Sequence, residues 1–172
     1  PIVSAGPNSA NPHATPSNRK FQTGDCLVID WGATYEGYIS DITRTFAIEK
    51  IDPEMEHIGQ IVAEANAAGR AIARPGVPAE QVDIAARKVI ETAGYGKYFI
   101  HRTGHGIGLE GHEEPYIRAG NTLPLEPGMT LTIEPGIYLP ERNGVRIEDN
   151  VVITPDGAEC LTNLPREIIV LG

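Results

Sequence analysis

The sequence predicts an α+β fold, in one domain over residues 1–172, with strands at both ends of the chain and two helices between them. Three observations carry this. Apolar runs bounded by turn residues fill the stretch from Cys26 to Ile48. Two capped segments of helical period lie between Asp52 and Gly94. Short strands and tight turns return from Tyr98 onward. Strands, then helices, then strands favours an antiparallel or mixed sheet covered by helices.

Residues 1–25 are rich in Pro, Asn, Ser and Gly, which reads as loop around a short strand. Leu27-Val28-Ile29 then runs into Asp30-Trp31-Gly32, and a second strand carries Ile39, Ile42 and Phe46. Asp52 is an N-cap with Pro53 at the first helical position. Met55, Ile58, Ile61, Val62, Ala65 and Ile72 recur at helical spacing until Arg74-Pro75-Gly76 stops the run. A second helix, about Ala79 to Ala93, presents Val82, Ala86, Val89 and Ile90 and ends at Gly94. Neither helix carries a residue that reads as catalytic; both read as a covering layer. After Thr103-Gly104-His105-Gly106-Ile107-Gly108 comes an acidic, Pro-containing loop. Strands follow near Met129 to Tyr138, Gly144 to Ile153 and Ile168 to Leu171.

Apolar residues make up 41% and charged residues 22%, a globular composition. Fourteen basic against 23 acidic residues give a formal charge of −9, which disfavours nucleic acid and anionic membrane surfaces as partners. Cys26 and Cys160 are far apart, without CxxC spacing, and point to a reducing compartment, the cytoplasm. No apolar run reaches the roughly 18 residues of a membrane span, and the N-terminus lacks a signal pattern.

Part of the acidic excess is arranged in pairs. With the first hairpin turn centred between Tyr35 and Glu36, Asp30 lies directly opposite Asp41, Cβ atoms roughly 5 Å apart. Two ionised carboxylates there repel, so the pair is exposed, shares a proton or holds a cation. Asp30 follows Leu27-Val28-Ile29, which argues against exposure. With Leu139 to Asn143 as a loop, Glu134 likewise faces Glu148. His105, between Gly104 and Gly106, can approach backbone and metal closely. Four carboxylates and one neutral imidazole balance two divalent cations. This donor set suits Mn²⁺, Co²⁺, Fe²⁺ or Zn²⁺ better than a thiolate-seeking metal.

Together these stretches resemble the pita-bread metallopeptidases, the family of methionine aminopeptidases, Xaa-Pro aminopeptidases and prolidases. The matching residues are Ser4-Ala5-Gly6-Pro7-Asn8-Ser9-Ala10-Asn11-Pro12-His13, the Asp30 to Asp41 hairpin and His101-Arg102-Thr103-Gly104-His105-Gly106-Ile107-Gly108. His112-Glu113-Glu114-Pro115, Thr132-Ile133-Glu134-Pro135-Gly136 and Val145-Arg146-Ile147-Glu148-Asp149 complete the set. The resemblance implies a curved sheet with helices outside it. It implies Asp30, Asp41, His105, Glu134 and Glu148 as ligands of two divalent ions, Mn²⁺ or Co²⁺ first, with Asp41 and Glu148 reaching both. It casts Glu134 also as the proton acceptor for the attacking water, and His13 and His112 as contacts to the substrate carbonyl. His101 becomes a pocket wall, while Tyr138 and Arg146 orient a ligand carboxylate. An alternative for Arg146 is a surface pair with Asp149. His13, His101 and His112 each have a plainer reading as loop or packing residues.

The Ala10-Asn11-Pro12-His13 entry and the Arg146-Ile147-Glu148-Asp149 run set the resemblance in the proline-specific branch. It then implies hydrolysis of the bond preceding proline in proline-containing peptides, by an Xaa-Pro aminopeptidase or dipeptidase, and a homodimer. All five ligands are present, which separates the chain from creatinase. A non-catalytic peptidase-like binding module, or an inactive fragment of such an enzyme, is the competing expectation. Only one of the family's two helix pairs is visible, so the chain reads as N-terminally incomplete. An uncovered apolar flank on the sheet is then expected, at roughly 25 cal/mol per Å² of exposed area.

Overall fold

A computed structural model describes all 172 residues, Pro1 to Gly172. Strand β1 (Ile2–Ala5) leads through a 3-10 turn at Gly6–Ala10 to β2 (Cys26–Trp31). A short ribbon of β3 (Thr34–Tyr35) and β4 (Tyr38–Ile39) precedes β5 (Ile42–Ile48). Helices α1 (Pro53–Ile72) and α2 (Ala79–Thr92) follow. The remainder comprises β6 (Gly104–Gly106), β7 (Glu113–Ile117), β8 (Thr130–Ile133), β9 (Gly136–Tyr138) and β10 (Gly144–Arg146). Last come β11 (Asp149–Thr154), β12 (Gly157–Cys160) and β13 (Ile169–Leu171).

Two sheets hold the chain. One has the order β1-β2-β5-β13, antiparallel except for the parallel β5–β13 edge; the other is antiparallel, in the order β12-β11-β8-β6-β7. The β9–β10 hairpin links them, and a single bridge between Thr43 and Glu148 ties β5 to the start of β11. The expected mixed sheet with helices is therefore what forms.

The helices lie where their apolar stripes predict. Asp52 accepts a hydrogen bond from the Glu54 amide at 2.8 Å, satisfying a free donor in the first turn of α1. Beyond α2, Gly94 adopts φ +86° while its amide and that of Tyr95 satisfy the last carbonyls. Met55, Ile58, Ile61, Val62 and Ala65 of α1 and Ala86 and Ile90 of α2 meet Ile137, Val145 and Ile147 in one core. Val82 joins Leu131, Ile133, Val151 and Ile153 in a second. Burying one Ile side chain contributes about 1.5–3 kcal/mol, so the helices fix the β9–β10 hairpin and the second sheet from one side. From the break and hairpin above that core, Glu134, Arg146 and Glu148 line a cavity.

Several expectations need correction. The acidic stretch after Gly108 is not all loop: Glu113–Ile117 is a strand, because pairing with β6 outweighs its local composition. Each long strand expected near the C-terminus is two, interrupted at Glu134-Pro135 and at Ile147-Glu148. An apolar sheet flank is partly uncovered as expected. Registers align Val3 with Ile29, Leu27 with Phe46 and Ile169, and Ile48 with Leu171, away from Asp30; Val3, Ile169 and Leu171 are exposed. No helix is long and apolar enough to cross a membrane.

Candidate metal centre

The first hairpin turns one residue later than the sequence suggested. Tyr35 pairs with Tyr38, leaving Glu36 and Gly37 as the two loop residues, both with positive φ. A tight two-residue hairpin requires that conformation, and Gly37 supplies it without strain. Asp30 consequently faces Thr43, not Asp41. Moving a turn centre by one residue shifts the register by two, which preserves the face of every side chain. Asp41 thus remains diagonal to Asp30 on the same surface. The close strand crossing depends on Gly32, where a Cβ would collide with the Ser40 carbonyl oxygen.

The second pair behaves as expected. The β9–β10 register (Gly136 with Arg146) and the β8–β11 register (Ile133 with Asp149) are one continuous register. Glu134 and Glu148 face one another in the break between them. The break releases both glutamates from regular pairing while Ile133 and Ile147, one residue before, stay in the cores.

His105 enters from β6. Its Nδ1 lies 3.0 Å from the Gly106 carbonyl, which can only accept, so Nδ1 carries the proton and Nε2 presents a lone pair. Nε2 is 3.6 Å from Glu134. Burial lowers the His105 pKa to about 4, keeping the ring neutral. A side chain on Gly104 would collide with the Thr132 carbonyl, so the strand carrying His105 can lie this close to β8 only with glycine there. Donor atoms of Asp41, His105 and Glu148 all lie within 4.8 Å of one another.

Electrostatically the cluster is under-neutralised. Burial and the neighbouring Asp30 raise the Asp41 pKa to about 7. Burial raises Glu134 to about 8 against the pull of Arg146. Glu148 is 1% exposed and shifted well upward by burial and by Glu134, with the Thr43 hydroxyl at 2.7 Å as its hydrogen-bond partner. Buried carboxylates of this kind are held protonated or by a cation. The donor set, oxygen-rich with one neutral imidazole, fits a divalent metal.

Around the cluster runs a directed chain of hydrogen bonds. Arg146 donates to Asp30 at 2.6 Å, to Thr43 at 3.1 Å, to the Pro12 carbonyl at 3.2 Å and to the Tyr138 hydroxyl at 3.1 Å. The pairing of Arg146 with Asp149 entertained from sequence does not form; Asp149 is held by Arg44 and Arg166, each at 2.7 Å, and by Arg70 at 3.5 Å. His101 Nδ1 donates to the Arg102 carbonyl at 2.7 Å, so its Nε2 accepts from Tyr138 at 2.8 Å. Burial lowers His101 to about 4 and raises Tyr138 to about 12, so both are neutral.

A cavity of about 750 Å³ opens over these groups, within the range of small-ligand sites. His13, Asp30, Asp41, His101, His105, His112, Glu134, Arg146 and Glu148 all line it, and Tyr138 stands behind His101. His112 packs edge-on against His105 with ring centroids 4.1 Å apart, and burial lowers its pKa. His13 is exposed at the rim.

Supporting residues escaped the sequence reading. Arg44 donates to the backbone carbonyls of Thr43 and Glu148 while pairing with Asp149, clamping the two halves together. Asp83 of α2 accepts from Thr103, and Arg87 donates to the Phe99 and His101 carbonyls, so the covering helix fixes the segment before His105. Asn66 of α1 donates to the Ile133 carbonyl beside Glu134. The signal available for Asp83 and Asn66 was a polar residue set within an apolar helical stripe.

A sequence profile of metallopeptidase family M24 matches residues 1–155. The chain is 53% identical over 171 residues to the probable dipeptidase PepE of Mycobacterium tuberculosis, covering 99% of this chain and 46% of that protein. The crystal structure of a recombinant prolidase from Thermococcus sibiricus superposes with a TM-score of 0.97 at 50% identity, covering 99% of this chain and 46% of the other. An X-Pro aminopeptidase from Thermotoga maritima gives 0.96 at 46% identity, with 99% and 48% covered. The likeness extends the pita-bread fold over nearly the whole chain. The chain spans about half the length of the relatives it matches. With a donor cluster of this composition and a profile match over most of its length, the chain belongs to metallopeptidase family M24.

Proposed function

We propose that residues 1–172 form a catalytic domain that hydrolyses the peptide bond preceding proline, as an Xaa-Pro dipeptidase or aminopeptidase dependent on two divalent ions. The convergence of Asp41, His105 and Glu148 donor atoms within 4.8 Å, beside Asp30 and Glu134, carries this reading. Relatives and neighbours named for dipeptidase, prolidase and X-Pro aminopeptidase activity support the substrate class. Asp30, Asp41, His105, Glu134 and Glu148 hold the ions, Mn²⁺ or Co²⁺ in this reading. Bound metal supplies an activated water and polarises the scissile carbonyl.

The protein's own groups do the rest. Glu134, in the cavity beside His105, accepts a proton from the attacking water and returns it. His112 and His13 at the cavity edge donate to the carbonyl oxygen as it gains charge. Arg146 holds Asp30, while the Tyr138–His101 relay stiffens the wall against which the proline ring rests. Two free cysteines favour a reducing compartment, the cytoplasm.

Chelator should abolish hydrolysis of Xaa-Pro peptides and Mn²⁺ or Co²⁺ restore it; chelator-resistant cleavage contradicts the reading. His112→Ala should remove turnover and leave metal content unchanged. Loss of metal in that variant would instead make His112 part of the binding framework.

A further inference from the structure

Strand β5 grips the chain between β10 and β11 through three consecutive residues. The Thr45 hydroxyl donates to the Arg146 carbonyl at 2.9 Å and accepts from the Arg146 amide at 3.1 Å. Arg44 donates to the Glu148 carbonyl at 2.7 Å, and the Thr43 carbonyl accepts from the Glu148 amide at 3.1 Å. These contacts place the backbone on which Arg146 and Glu148 stand. One further contact is of a different kind: the Thr43 hydroxyl reaches the Glu148 carboxylate itself.

The direction of that hydrogen bond is fixed by its neighbour. Thr43 is fully buried, and its hydroxyl has two partners, Arg146 Nε at 3.1 Å and Glu148 Oε2 at 2.7 Å. A guanidinium N–H can only donate, so Arg146 occupies a lone pair of the hydroxyl and the single hydroxyl proton goes to Glu148. Arg146 meanwhile donates to Asp30 through Nη2 at 2.6 Å. One guanidinium thus directs a donor at each carboxylate pair, at Asp30 directly and at Glu148 through Thr43. The register makes the link possible, since Thr43 lies across the β2–β5 ladder from Asp30 and forms a bridge with Glu148.

We propose that Thr43 is a positioning residue whose hydroxyl carries the hold of Arg146 across to Glu148 and sets that carboxylate for a divalent ion. This rests on the metal-dependent reading of the site. A donor oxygen of Glu148 lies within 4.8 Å of donor atoms of Asp41 and His105, so the rotation of this carboxylate decides whether the three converge. A methyl group in place of the hydroxyl leaves Glu148 Oε2 and Arg146 Nε facing an apolar surface, and nothing then fixes that rotation. Groups that orient a metal ligand from behind typically govern affinity by about tenfold to a hundredfold.

The test is calorimetric titration with Mn²⁺ of the 172-residue protein and its Thr43→Val, Thr43→Ser and Thr43→Cys variants. Thr43→Val keeps the shape without the hydroxyl, and should weaken Mn²⁺ binding by about tenfold to a hundredfold. Thr43→Ser keeps the hydroxyl and loses only the methyl group, and should bind close to wild type. Thr43→Cys, with a weak S–H donor, should fall between them and decides the matter if the valine variant does not fold. A residue that serves only packing predicts the reverse order, with Thr43→Val harmless and Thr43→Ser the damaged protein. Thr43→Val or Thr43→Cys binding Mn²⁺ as tightly as wild type, or Thr43→Ser as weak as Thr43→Val, overturns the assignment. The expected order of affinities in a protein that hydrolyses no Xaa-Pro peptide would instead contradict the peptidase reading and leave Thr43 in its role. A wild type without affinity for Mn²⁺ would overturn both.

Discussion

Two carboxylate pairs face each other across the cavity, and their surroundings are not alike. Asp30 and Asp41 are half-buried at the edge of a hairpin, and Asp30 has Arg146 at 2.6 Å. Glu134 and Glu148 sit in a break between two buried ladders, with Glu148 sealed from solvent and bonded to a neutral hydroxyl. One pair is partly neutralised from within; the other depends on protons or an external cation. The same repulsion is therefore a local feature of one hairpin and a demand on the whole fold at the other.

The largest effect that sharpens this contrast is expected at Arg44, which braces the glutamate side. Arg44→Ala breaks a buried pair with Asp149 and strips donors from two carbonyls, and should cost about 3–5 kcal/mol in urea unfolding. On the aspartate side, Asp30→Asn leaves the buried Arg146 short of its anion and should destabilise the protein by about 1–3 kcal/mol. Glu148→Gln should act with the opposite sign in metal-free protein, raising the melting temperature above pH 8 because it removes a buried charge. A destabilised Glu148→Gln with unchanged metal content would erase the distinction between the pairs.

The pH dependence follows from the same groups. Folded-state pKa values of Asp41 and Glu134 are raised to about 7 and about 8, so the folded protein binds more protons than the unfolded chain above about pH 4. His101 and His105, lowered to about 4 from 6.5, work the other way up to about pH 6.5. Between about pH 6.5 and 8 only the carboxylate effect remains. Metal-free protein should therefore lose melting temperature as pH rises through that window, and Mn²⁺ should suppress the loss. The smallest effect is expected at Arg142→Ala, whose pair with Glu54 is exposed: less than about 1 kcal/mol, with metal content untouched.

The sequence showed the site's members more clearly than its supports. His105, Glu134 and Glu148 could be paired on paper because flanking glycines and a fixed loop length constrain the backbone. The longer loop from Leu139 to Asn143 gave the observed register, while the tighter hairpin was displaced by one residue in its turn. That displacement did no harm to the assignment of a shared face, since register parity was unchanged. Arg44 and Asp83 were not legible, because their partners lie 105 and 20 residues away and only the fold brings them together. Strand β7 was hidden for a related reason: its hydrogen bonds are tertiary, and its own residues resemble a loop. Arg146 was placed near the site, but its partner was misjudged, because Asp149, nearby in sequence, points away towards Arg44 and Arg166.

The most direct test is the metal content of the folded protein after saturation with Mn²⁺ and desalting, measured beside Glu148→Gln. The account predicts two ions per chain in the wild type and a deficit in the variant. A protein that is folded at neutral pH and retains no divalent ion would contradict it.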